Sequence, residues 1–84
     1  MIAIYGKDNC KWCHAAQVLC DKAGLPFVYV PVDDHGSKLS ITGSQLIDIC
    51  PVPISTVPQI FDGGRYVGGF EDFKTLLANT AQTR

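Results

Sequence analysis

Residues 1–5, 10–23 and 27–32 read in turn as strand, helix and strand, and that order constrains this chain more than any other feature. The first run, Met-Ile-Ala-Ile-Tyr, ends at Gly6 and the polar loop Lys7-Asp8-Asn9. From Cys10 onward, Trp12, Ala15, Ala16, Leu19, Cys20 and Ala23 recur at helical spacing, and Gly24 supplies the stop. Pro26 restarts the chain. Residues 27–32 are dense in β-branched and aromatic side chains, with Pro31 placing the end of that strand near a sheet edge. Strand, helix and strand over about thirty residues make a βαβ unit. Its strands run parallel, joined by a right-handed crossover.

Cys10 and Cys13 stand where the first strand gives way to the helix, separated by Lys11 and Trp12. Free N–H groups and the helix dipole at a helix N-terminus stabilise a thiolate, the form that attacks a disulfide. Cys10 falls at or before the cap and is expected to be the exposed thiol, whereas Cys13 lies in the first turn and is expected to face inward. One thiol then attacks and the other resolves. Half of a zinc site is the alternative reading. It needs two further ligands, and Cys20, Cys50, His14 and His35 form no second tight pair at zinc-finger spacing, so no metal is expected. Cys20 lies about two turns from Cys13, roughly 10 Å along the helix and beyond disulfide reach. Cys20 and Cys50 therefore read as small apolar packing residues, and His14 and His35 as surface residues.

After a polar, turn-rich stretch at residues 33–40, Leu39, Leu46, Ile47 and Ile49 point to a shorter second helix reaching Cys50. Pro51, Pro53 and Pro58 forbid its continuation. Gln59-Ile60-Phe61, Asp62-Gly63-Gly64-Arg65 and Tyr66-Val67-Gly68 form a hairpin signal, so the third and fourth strands are expected to be antiparallel. Phe70, Phe73, Leu76 and Leu77 then mark a final amphipathic helix to about residue 80. Residues 1–80 read as one domain and residues 81–84 as a frayed tail.

At 84 residues and 46% hydrophobic content, the chain can bury one modest core. A net charge of −1 gives no support to nucleic-acid or anionic-membrane binding. No apolar run approaches the roughly 18 residues that span a membrane, and the opening lacks the pattern of a signal peptide. A cytoplasmic protein is expected. In that reducing compartment a close cysteine pair is catalytic or metal-binding rather than a structural staple. No apolar stripe is left over once sheet and helices are packed, so a monomer is expected.

The order β-α-β-α-β-β-α, with Cys10-Lys11-Trp12-Cys13 opening the first helix, resembles the thioredoxin-like arrangement. Thr56-Val57-Pro58-Gln59-Ile60-Phe61 and Gly68-Gly69-Phe70-Glu71-Asp72-Phe73 extend the resemblance to the glutaredoxin family, in that family's order and spacing. Its small phage and bacterial members are nearest in size. The resemblance implies an α/β fold with a four-stranded mixed sheet packed by three helices. It also implies a glutathione-dependent thiol–disulfide oxidoreductase in which Cys10 and Cys13 are catalytic.

Site by site, the resemblance implies that Lys7 helps hold the glycine carboxylate of glutathione, with Gln45 on the second helix a weaker candidate for the same group. It implies a cis Val57–Pro58 bond after Thr56, so that Val57 backbone groups pair, strand-like, with a bound peptide's cysteine. The glutamyl carboxylate is implied to bind the N–H groups of the last helix around Gly69, Phe70 and Glu71, and Asp72 to accept the ammonium. Trp12 replaces the family's usual tyrosine and walls the thiol site, or simply packs at the helix start. Lys11 replaces its proline, a departure that the family associates with altered redox poise and, in some members, with an iron–sulfur cluster. The implied partners are glutathione and disulfide-containing or glutathionylated proteins, with ribonucleotide reductase the natural guess. Two alternatives stand beside this reading. One is a redoxin recharged by thioredoxin reductase, and the other a carrier that holds an iron–sulfur cluster through Cys10 and glutathione.

Overall fold

The computed structural model describes residues 1–33 and 40–82, so the readings placed on His35 and Leu39 lie outside the described residues. Strand β1 (Ile2–Gly6), helix α1 (Lys11–Ala23) and strand β2 (Phe27–Pro31) come first. Helix α2 (Gly43–Ile49), the hairpin strands β3 (Gln59–Asp62) and β4 (Arg65–Gly68) and helix α3 (Phe70–Gln82) follow. The sheet order is β2-β1-β3-β4. β1 runs parallel to β2, pairing Ile4 with Tyr29 and Gly6 with Pro31. It runs antiparallel to β3, which is antiparallel to β4. The first three elements are thus the expected βαβ unit, and Pro31 ends an edge strand where its missing N–H leaves no ladder bond unmade.

Ile2, Ile4, Ala16, Cys20, Ile60 and Phe73 form the core between the sheet and helices α1 and α3, with Tyr29, Phe70 and Leu77 packed against it. The strands alternate, so Tyr5 and Phe61 fall on the other face, where their rings meet edge to face at 5.6 Å. Gly24 ends α1 in the left-handed conformation, its N–H donating to the Asp21 and Cys20 carbonyls. At the hairpin, Gly63 and Gly64 both take positive φ (58° and 87°), the two-residue turn that suits strand twist.

Several boundaries and faces differ from expectation. α2 begins at Gly43 because Thr42 caps it, in a capping box with Gln45. With only seven residues, α2 presents one narrow face inward, so Leu46 is buried while Ile47 and Ile49 are exposed. Leu76 is likewise exposed, whereas Phe73 is fully buried. α3 continues to Gln82, two residues beyond the expected end. Val32 leaves β2 to bridge Ile41, an isolated pairing that carried no sequence signal.

Candidate active site

Cys10 is the N-cap of α1 and Cys13 sits in its first turn. The two form a disulfide with Cα atoms 5.2 Å apart. Cys10 is part-buried at the surface and Cys13 is completely buried, as their positions on the helix predict. The Cys13 N–H donates to Cys10 Sγ at 3.1 Å. That bond satisfies one of the orphan donors of the helix start and is stronger when the sulfur is charged, which favours the thiolate at Cys10.

Opposite the cysteine pair lies the loop before β3. Its Val57–Pro58 peptide bond is cis, and the Val57 carbonyl oxygen lies 3.6 Å from Cys10 Sγ. Two side chains hold the loop from behind. Gln59, buried in β3, donates from Nε2 to the Thr56 carbonyl at 2.9 Å, and the Tyr66 hydroxyl of β4 donates to Gln59 Oε1 at 2.6 Å. Burial, with the Cys50 thiol once ionised and the Asp72 carboxylate adding to it, raises the Tyr66 pKa, so the phenol keeps the proton it donates. Sequence reasoning gave Gln59 and Tyr66 no task beyond a strand; the only signal was a polar residue amid apolar strand neighbours.

A groove of about 460 Å³ runs from this loop to the start of α3, lined by Trp12, Thr56, Val57, Pro58, Gly69, Phe70, Glu71 and Asp72. The eight are expected site residues drawn from three separate segments. Trp12 is half exposed and its ring lies 5.2 Å from that of Phe70, so the two aromatics wall one end. Lys11 Nζ sits 5.2 Å above the Trp12 ring. Just before α3, Gly68 has φ 125°, a conformation open to glycine, and its bare Cα accommodates the Asp72 carboxylate.

A second groove of about 220 Å³ shares Thr56 and Val57 with the first and reaches Lys7 and Leu46. Lys7 therefore lines a groove that meets the first one at Thr56 and Val57. Gln45 is not brought there. It is exposed and lines neither groove, and its Oε1 accepts the Thr42 N–H at 2.9 Å in the capping box, which satisfies a helix end instead.

The remaining titratable groups near the pair lie apart from this groove. His14 is exposed and its Nε2 donates to the Asp8 carbonyl at 2.7 Å, which turns the ring away from Cys13. Cys20 is buried in the core and its pKa is pushed up to about 11 by burial and by the charge of Asp21. Cys50 is also buried and raised by burial. Both are poor nucleophiles in the folded chain.

A glutaredoxin family model matches residues 2–67, the span holding the cysteine pair, the cis-proline loop and the hairpin. The chain belongs to the glutaredoxin family. Glutaredoxin 3 of Escherichia coli K12 is 31% identical over 81 residues, covering 92% of this chain and 86% of its own. Among solved structures, reduced E. coli glutaredoxin superposes with a TM-score of 0.79 at 28% identity, covering 96% of each chain. A buckwheat glutaredoxin in complex with glutathione shares the fold, with a TM-score of 0.77 at 22% identity over 94% of this chain and 69% of its own. Family and cysteine pair together make this glutaredoxin-family chain a thiol–disulfide oxidoreductase.

Proposed function

We propose that the chain is a dithiol glutaredoxin that reduces protein disulfides and glutathione mixed disulfides with glutathione as its reductant. The observation that carries this reading is the groove beside Cys10. It joins an aromatic wall, a strand-like backbone edge at Val57 and the start of α3 with Asp72, over a volume suited to a tripeptide. Each feature has a counterpart in glutathione. Val57 backbone groups pair with its cysteine, the first-turn N–H groups of α3 take the glutamyl carboxylate, and Asp72 takes the ammonium. Lys7, in the adjoining groove, supplies a cation for the glycine carboxylate. The buckwheat relative of the same fold is solved with glutathione.

In the proposed reaction the Cys10 thiolate attacks a substrate disulfide, its electron pair forms the new S–S bond, and the substrate sulfur leaves as a thiolate. Cys13 then attacks Cys10 Sγ, releases the substrate as a thiol and forms the Cys10–Cys13 disulfide. Two glutathione molecules reduce that disulfide in succession and depart as glutathione disulfide. We place this cycle in the reducing cytoplasm, where a glutathione pool can recharge the cysteine pair. NADPH consumption with a small mixed-disulfide substrate tests the reading. Fast turnover with glutathione and glutathione reductase is expected; turnover only with thioredoxin reductase would discard the glutathione site and keep the fold.

A further inference from the structure

The Tyr29 hydroxyl, on β2, is buried and has no hydrogen-bond partner among the described residues. A buried phenol without a partner costs free energy, so its position calls for a reason. Its surroundings supply one. A methyl group at Gly6 would stand 2.6 Å from Cys13 Sγ and 3.0 Å from the Tyr29 hydroxyl oxygen. Both atoms therefore border the small space over the Gly6 Cα, which the missing side chain leaves open; no hydrogen bond joins them while the disulfide is closed.

Cys13 needs such a neighbour. When the Cys10–Cys13 disulfide is reduced, a thiolate forms a bond to Cys10 Sγ, the Cys10–Cys13 bond breaks, and its electron pair stays on Cys13 Sγ. That sulfur is completely buried, where negative charge is costly. The N–H of Cys13 itself is directed at Cys10 Sγ and not at its own sulfur. We propose that Tyr29 is a catalytic residue that donates its hydroxyl hydrogen bond to Cys13 Sγ as the disulfide opens, and so stabilises the leaving sulfur. No proton need transfer for this; a solvent proton neutralises Cys13 afterwards. By microscopic reversibility the same bond eases Cys13 deprotonation when Cys13 resolves a mixed disulfide. The phenol is suited to the task, since burial and the charge of Asp8 raise its pKa and keep it a donor.

The inference rests on the roles proposed above for Cys10 and Cys13. Its test is stopped-flow opening of the oxidised protein by dithiothreitol, comparing the parent with Tyr29→Phe, which keeps the ring and its packing. A hydrogen bond to a charged group predicts opening slower by roughly tenfold. A companion measurement uses the Cys10→Ser background, where Cys13 is left as a free thiol. There Tyr29→Phe should raise the Cys13 pKa by about one unit, followed by the ¹³Cβ shift of labelled cysteine. An unchanged opening rate, or an unchanged Cys13 pKa, overturns the proposal. Failure of the parent protein to form a Cys10–Cys13 disulfide that dithiothreitol opens would instead overturn the functional reading beneath it.

Discussion

At the scale of single residues, exposure and helix position distinguish the two cysteines. Cys10 has a surface and an N–H donor at 3.1 Å, whereas Cys13 is buried, so in the proposed cycle it reaches a substrate only through Cys10. Cys10→Ser is therefore expected to abolish all turnover. Cys13→Ser should abolish protein-disulfide reduction yet spare removal of glutathione from a mixed disulfide, which needs one thiol. Separate assays of a protein disulfide and a glutathionylated peptide check this, and full activity in Cys10→Ser would sink the assignment. Gly68 carries a second prediction. At φ 125° a side chain is strained, and a methyl group would collide with the Asp72 carboxylate. Gly68→Ala should move Asp72 and raise the KM for glutathione several-fold, with a stability loss of about 1–3 kcal/mol. An unaltered KM in a folded Gly68→Ala variant would remove Asp72 from the proposed ammonium site.

Elements reach the site through their ends. The α1 N-terminus presents the thiols, the α3 N-terminus closes the groove, and the loop into β3 faces both. What keeps that loop in place is a chain of two hydrogen bonds from β4 through buried Gln59 to the Thr56 carbonyl. Tyr66→Phe keeps the ring contact with Phe61 but leaves Gln59 Oε1 buried and unpaired. It should cost about 1–3 kcal/mol in urea unfolding, and loosening of Thr56 and Val57 should raise KM more than it lowers kcat. Equal KM values for parent and variant would show that the loop holds without the chain. α2 contributes differently. Its capping box engages Gln45, so the helix is stabilised by the very side chain that the sequence offered to the substrate.

On the scale of the whole molecule, the buried acids tie stability to pH. Burial, and secondarily Asp21, raises the Cys20 pKa from its ordinary 9.0 to about 11 in the folded chain. The folded state thus holds this proton more tightly than the unfolded chain. Its contribution to stability is complete below pH 9.0 and is lost as the pH rises through about 11. Cys50, Tyr29 and Tyr66 are raised chiefly by burial and add the same sign. The urea midpoint should accordingly fall across that alkaline range, and fall less steeply in Cys20→Ala. A midpoint that stays level, or an equal slope in Cys20→Ala, would contradict the argument. The element order, the cysteine pair at a helix start, the Thr56-Val57-Pro58 loop and the hairpin glycines were all legible in the sequence. The loop was legible through the family resemblance, and the others rest on local physics: periodicity within one element, a cap, or a glycine whose backbone needs are set by its neighbours. Apolar spacing alone did not tell which side of α2 and α3 would be covered, and so Ile47, Ile49 and Leu76 lie exposed. Nor did it reveal Tyr29 beside Cys13 or the support of Thr56 by Tyr66 through Gln59. Those relations join residues far apart in the chain, and only the stacking of helices on the assembled sheet brings such atoms within reach of one another.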